Sequence, residues 1–192
     1  EHRIEGLPRL PLDQARARAL LAEAGYPEGF RLTIHGPTNF FTLDDNLLQA
    51  IAQGFTRIGV ETQVQTLPPP TFFTKATNRE FSVFMTQFTS WYTISPIRSV
   101  IMTRDPVAGF GPFNRQRYSN PAVDGPAMQA LTTMDEERRR EFTLQSARAL
   151  LEDKGVIPVI YLRNAWAGRR DRVVIDPAPA NQTSALYVTP AQ

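Results

Sequence analysis

Residues 30–67, FRLTIHGPTNFFTLDDNLLQAIAQGFTRIGVETQVQTL, decide how this chain folds. The first six, FRLTIH, alternate apolar and polar side chains and favour extended backbone, so they read as a strand. GPTNFFT follows as a loop. Thr42, with Asp45 three residues on, resembles a capping box that opens a helix. Leu47, Leu48, Ile51, Phe55 and Ile58 then form one apolar stripe at helical spacing, closed by Gly59. Residues 60–67, VETQVQTL, read as a second strand. A helical crossover of more than a dozen residues between two strands places them parallel in one sheet.

The flanks extend this pattern. Upstream, Asp13 is a natural N-cap for a helix with Ala17, Leu20, Leu21 and Ala24 on one face, ended by Gly25 and Pro27. Downstream, PPPTFFTKATNREF predicts a short helix from Thr71, and residues 81–88, FSVFMTQF, a third strand. Residues 97–102 are weakly helical. Residues 122–131 predict a short helix. Thr133 with Glu136 reads as a second capping box, opening a long helix to Asp153 with Phe142, Ala149 and Leu150 inward and Gly155 as its stop. Residues 156–162, VIPVIYL, are continuously apolar, the pattern of a strand buried on both faces. Residues 172–175 read as a short last strand, and the tail after Pro177 as irregular. The sum is an α/β domain whose mostly parallel sheet is flanked by helices, with no clear linker, so residues 1–192 read as a single domain.

Composition narrows the functions. The net charge is +2, which gives no reason to expect nucleic acid or a membrane surface as partner. Sixteen prolines in 192 residues exceed the usual ~5% and imply many fixed turns. The absence of cysteine excludes disulfides, thiolate metal sites and Cys nucleophiles. No apolar run is long enough to span a bilayer. The loop-like opening EHRIEGLPRLP is that of a fragment of something larger.

Catalytic chemistry finds little footing. His35 stands at the carboxyl end of a strand and could pair with Asp44 or Asp45 as an enzyme's base, or simply bond a neighbour. The acids are equally well explained by the start of the helix, where its dipole favours negative charge. No metal-ligand spacing, GxGxxG, P-loop or GxSxG motif is present, so no cofactor or metal is expected. The run EERRRE, residues 136–141, is the solvated face of a helix.

Binding has better candidates. Asn39-Phe40 follows the first strand and Trp91-Tyr92 the third, and loops at the carboxyl ends of parallel strands line ligand crevices. Aromatic plates beside amide and guanidinium donors suit small organic ligands. The stretch FGPFNRQRYSNPAVD, residues 110–124, divides in two. In its second half Asn120 can cap a helix, Pro121 suits the first turn and Asp124 favours the dipole. Its first half has no capping role, leaving Asn114, Arg115 and Arg117 as candidates for a binding wall, with the boundary near Tyr118. Trp91 and Phe113 could equally plug the end of the core.

Four stretches in order carry a family resemblance: LDQARARALLAEAGYPEGFRLTIHGP (12–37), LLQAIAQGFTRIGVETQVQTLPPPTFF (47–73), FNRQRYSNPAVD (113–124) and LTTMDEERRREFTLQSARALLEDKGVIPVIYLRNAWAGR (131–169). The chain resembles the bacterial extracellular solute-binding proteins of family 5, the peptide, nickel and glutathione-type receptors of ABC importers. The resemblance implies a type II periplasmic-binding-protein-like lobe, the carboxy-terminal one of two that close on ligand, with the amino-terminal lobe absent. It implies a non-enzymatic protein of the periplasm or outer membrane face, lipid-tethered in some members. Its partners would be a small organic solute or short peptide, a membrane permease and the missing lobe, with no nucleic acid. A sensor or interaction domain that kept the fold is the alternative. One departure stands out. Peptide receptors of the family place an acid three residues after the Trp of a Gly-Trp pair, to meet the peptide's amino terminus. Here Ser90 precedes Trp91 and position 94 is Ile94, so either the missing lobe supplies the acid, or the ligand is neutral or anionic and is met by Arg98, Arg115 or Arg117.

Overall fold

The computed structural model describes residues 11–41, 44–88, 90, 94–160, 167–169, 171–175 and 188–191, with the side chain of Asp44 outside that set. The chain divides into two compact units, Glu5–Gln87 and Phe88–Gln192.

In the amino-terminal unit, α1 (Gln14–Glu23) begins as its sequence requires, with the Asp13 carboxylate accepting from the Arg16 N–H. Its apolar stripe is only partly covered, however: Ala17 and Leu21 are half-buried, and no residue of α1 is fully buried. Arg18 ties it to the next helix by donating to the Arg57 carbonyl at 2.6 Å, a cation at the negative end of a helix dipole. Strand β1 (Arg31–Pro37), α2 (Asp44–Arg57) and β2 (Glu61–Leu67) form the expected β-α-β unit, and β1 and β2 are parallel in register from Arg31↔Glu61 to Pro37↔Leu67. Thr42 of the expected capping box lies outside the described residues. Helix α2 buries Leu48 of its expected stripe and also Ala52, while Leu47, Ile51, Phe55 and Ile58 are half-buried; Ile34 and Val60 are buried with them. Gly36 leaves room for the helix: a Cβ there would stand 2.4 Å from Leu48 Cδ1.

After β2 the three prolines break the strand, and α3 (Pro69–Thr77) starts two residues earlier than expected and buries Phe72 and Ala76. The third strand is cut down to two residues, β3 (Val83–Phe84), parallel to β1 and on its other side, giving the sheet order β2-β1-β3. The reason lies in β1. Met85 N–H donates to the His35 carbonyl, while Thr38 N–H turns to Leu67 on β2. The next donor facing β3 would be residue 37, a proline without an N–H, so the ladder stops. At the other end Phe81 leaves the strand plane to stack on the His35 ring at 4.0 Å.

In the carboxy-terminal unit, α4 (Ile94–Pro96) runs into a π-helical turn, Ile97–Ile101. Helices α5 (Pro121–Thr132) and α6 (Glu136–Glu152) pack on it around Ile97, Ile101, Met102, Val123, Ala127, Ala147 and Leu150. The helices approach through small side chains, and the buried Ser146 hydroxyl donates to the Val123 carbonyl at 2.9 Å. Asn120 caps α5 as expected, accepting from Ala122 N–H, with Pro121 in the first turn. The N-cap of α6 is Asp135, which accepts from Arg138 N–H, and not Thr133. Thr133 donates back to Gln129 at the end of α5 instead, so the capping-box reading was two residues early. Gly155 lies just beyond the end of α6, as expected of its stop, and Lys154 before it takes φ 57°. Gly155 is needed for another reason: a Cβ would lie 2.5 Å from the Tyr118 ring.

The expected buried strand at 156–162 is a further correction. Residues 156–160 join no sheet, and Ile157 is 74% exposed. Pro158 removes a ladder donor in mid-run, and no neighbouring strand among the described residues offers pairing. The last strand is present as β4 (Val173–Ile175). It pairs antiparallel with β5 (Val188–Pro190), so the tail expected to be irregular contains a strand.

Candidate solute-binding residues

In the amino-terminal unit the loop after β1 carries Asn39 and Phe40. Asn39 takes φ 50°, a left-handed turn that Asn tolerates better than most residues. The turn lifts Phe40 outward, 52% exposed, with its ring edge-on to Phe41 at 4.9 Å and to Phe73 at 5.2 Å. Phe73 comes from α3, just past the end of β2. Behind it Phe72 stacks on Phe81 at 5.5 Å, and Phe81 on His35. The carboxyl ends of β1 and β2 are thus joined by a continuous series of rings, buried at Phe72 and open to solvent at Phe40. Phe73 was not singled out from sequence. Its signal is the PPPTFF stretch at the end of a strand, where a proline-started helix must place its first aromatics on the sheet edge.

Among the described residues His35 has no acid partner. Its Nε2 lies 3.1 Å from the neutral Gln65 Oε1, and its buried Nδ1 meets no hydrogen-bond partner among the described residues. Asp45 is exposed at the start of α2, and the Asp44 side chain lies outside the described set. No group of three metal-ligating side chains occurs among the described residues. An open depression on this unit is lined by Gln49, Ala52, Gln53, Thr56, Arg57 and Thr62 on α2 and β2, and by none of the expected residues.

In the carboxy-terminal unit the loop before α5 is laid along the π-helical turn. Gly111 N–H donates to the Arg98 carbonyl and Phe113 N–H to Ser99, both at 2.9 Å. Asn114, expected at a binding wall, is 4% exposed and turned inward. Its Nδ2 donates to the carbonyls of Ile101, Met102 and Tyr118 at 3.0, 2.9 and 2.7 Å, and its Oδ1 accepts from Tyr118 N–H at 2.9 Å. The amide therefore clamps the chain between 114 and 118 into a small loop. Arg115, Gln116 and Arg117 are the residues that loop presents.

Arg115 is half-buried with its guanidinium 5.5 Å from the centre of the Phe113 ring, and burial lowers its pKa from the ordinary arginine value. Arg117 is exposed and holds φ 53°. Arg98 lies over Phe110 at 5.9 Å. At the base of the loop, Tyr118 hydroxyl and Asn120 Nδ2 both donate to Asp153, which holds that carboxyl below the usual aspartate range. Burial, then the Asp153 contact, raises the Tyr118 phenol. The boundary expected near Tyr118 coincides with this base. Trp91 and Tyr92 lie outside the described residues. Ile94 packs against the helical core.

A family model described as "Bacterial extracellular solute-binding proteins, family 5 Middle" matches residues 5–109, more than half of the chain. The chain belongs to this family. The glutathione-binding protein GsiB of Pectobacterium atrosepticum is 31% identical over 143 residues, covering 68% of this chain and 26% of GsiB. GsiB of Salmonella typhimurium is 27% identical over 161 residues, covering 78% and 30%. Among solved structures, the periplasmic binding protein DppA of Helicobacter pylori in complex with the peptide STSA superposes with a TM-score of 0.67 at 16% identity, over 78% of this chain and 29% of DppA. HbpA2 of Haemophilus parasuis gives 0.65 at 21% identity, over 76% and 29%. The family 5 chain thus has the α/β fold of a type II periplasmic-binding-protein lobe, and it spans under a third of the length of these relatives. The family is one of solute-binding proteins rather than enzymes. No helix among the described residues is long and apolar enough to cross a membrane.

Proposed function

We propose that this family 5 chain is the carboxy-terminal, ligand-capturing lobe of an extracytoplasmic receptor that feeds an ABC importer. Its ligand is a short peptide or another small organic solute, its further partners are an amino-terminal lobe and a membrane permease, and it performs no catalysis and needs no cofactor. The observation that carries this reading is the family match over residues 5–109, which includes the exposed ring of Phe40 at the carboxyl ends of the parallel strands. A ring edge open to solvent beside Asn39 offers an apolar plate with a polar neighbour, the pairing small-ligand sites use. The candidate ligand contacts are Asn39 and Phe40 in the amino-terminal unit and, separately, Trp91, Tyr92, Arg115 and Arg117 in the carboxy-terminal unit, with Asn114 shaping the loop that presents the two arginines. The pairing of His35 with a neutral glutamine supports a non-enzymatic role. Periplasmic or other extracytoplasmic residence, with or without a lipid tether, goes with the family.

Native mass spectrometry of the longest form of the protein, purified from its own cells, tests this. A co-purified small solute, displaced or weakened by Phe40→Ala, is the expected result. A protein that carries no solute and shows no thermal shift with a pool of di- and tripeptides and glutathione would sink the reading.

A further inference from the structure

We infer that the solute is anionic, and that its carboxylate or phosphate is held by the loop 113–118 of the carboxy-terminal unit. This rests on the solute-binding reading above and adds the chemical class of the solute. Residues 94–118 hold four arginines, Arg98, Arg104, Arg115 and Arg117, against one acid, Asp105. That acid is engaged by backbone: its Oδ1 accepts from Val107 and Ala108 N–H. The other acids that touch this part of the fold are held by neutral donors. Asp124 accepts from the N–H and hydroxyl of Thr103, and Asp153 from Tyr118 and Asn120. Among the described residues Arg98, Arg104 and Arg117 enter no ion pair.

These cations leave one short stretch of folded backbone. The bonds from Gly111 to Arg98 and from Phe113 to Ser99 bring the π-helical turn alongside the loop. At Gly111 a Cβ would stand 3.0 Å from the Arg104 Cα. Two of the guanidinium groups are held in place by rings, Arg98 on Phe110 and Arg115 on Phe113. The Asn114 clamp fixes the backbone of Arg115–Arg117 from below, so little freedom is left to lose when an oxyanion docks. A planar guanidinium fork matches carboxylate and phosphate oxygens in pairs. Position 94 supplies no opposing charge, because Ile94 is packed on the core. The carboxylates of Asp105, Asp124 and Asp153 keep their charge and offset three of the four arginines, so the loop retains a net positive charge, which favours a negative group from outside.

The test is a titration of the isotope-labelled 192-residue chain, followed on arginine side-chain N–H signals and on the Phe113 and Tyr118 amides. The probes are N-acetyl-trialanine, its C-terminal amide and N-acetyl-phosphoserine amide. Saturable shifts of Arg115 and Arg117 with an anionic probe are expected, with binding of the neutral amide about tenfold weaker. The stronger of the two anionic probes tells carboxylate from phosphate. Arg117→Gln, at an exposed position, should remove most of that preference and leave binding of the neutral amide unchanged. Arg115→Gln should do the same with an unchanged circular dichroism spectrum. Equal binding of acid and amide would overturn the anionic class and leave the solute-binding reading standing. Loop signals that answer only to a long acidic polypeptide such as polyglutamate would put a protein partner in place of the solute. Silence with every probe would overturn the anion site on this loop.

Discussion

Replacing Asn114 by Ala should destabilise the carboxy-terminal unit more than any exposed substitution in the same loop. The side chain is 4% exposed and makes four short contacts with backbone groups, three as donor and one as acceptor. Its two amide hydrogens are shared among three carbonyls, so the donor side counts for about two bonds and the acceptor side for one. A hydrogen bond contributes about 1 kcal/mol net, and a buried group left without a partner costs about 1–3 kcal/mol. Water can reach the half-buried Tyr118 end more easily than the buried Ile101 and Met102 end. The expected loss is therefore about 3 kcal/mol. Asn114→Asp should be at least as damaging, because it keeps the acceptor for Tyr118 N–H and sets a carboxylate oxygen against three carbonyls. Hydrogen exchange resolved along the chain is the assay of choice, since it reads each unit separately. Faster exchange should be confined to residues after 88, strongest near 101–118, with 31–67 unchanged. A loss below about 0.5 kcal/mol, or acceleration spread evenly over both units, would refute the reasoning.

Three further outcomes follow from local geometry. Gly36→Ala should disturb the amino-terminal unit by about 1–3 kcal/mol, the usual cost of overpacking, because its Cβ would meet Leu48 Cδ1 at 2.4 Å; Gly36→Ala combined with Leu48→Ala should cost less in urea unfolding than the sum of the two single changes. Asp135→Ala should cost about 1 kcal/mol as the loss of an N-cap, whereas Thr133→Val should cost clearly less, and the reverse order in thermal melts would restore the earlier cap. The Asp153 carboxyl, lowered first by the Tyr118 hydroxyl and then by Asn120, adds stability above the ordinary aspartate pKa of about 4 and loses it as pH falls through the lower folded value. Tyr118→Phe should flatten that acid dependence; a variant with the same pH profile as the parent would show that the contact is not coupled to folding.

Much of the local structure was readable from short-range rules. Asp13 and Asn120 were recognisable as caps because a carboxylate or amide at the end of an extended residue reaches only its own first turn. The β1-α2-β2 unit followed from period and length, since a long crossover leaves parallel pairing as the simple solution. One error came from the same rules used where two solutions lie close together. The S/T-x-x-E pattern fits Thr133, yet Asp135 stands nearer the first turn.

What remained hidden is long-range. Nothing in the order of residues says that Pro37 on one strand would end the ladder of another, because that depends on which face of β1 the third strand takes. Nor does an apolar run such as 156–160 reveal whether a sheet will receive it; the hydrophobic effect asks only for burial, and the neighbour is a property of the whole fold. Asn114 is the clearest case. As a residue type in a loop it suits ligand binding and backbone bracing equally well. Only the fold, by placing three carbonyls and one N–H within 3.0 Å, assigned its amide to the backbone and left the two arginines that follow it as the residues the loop presents.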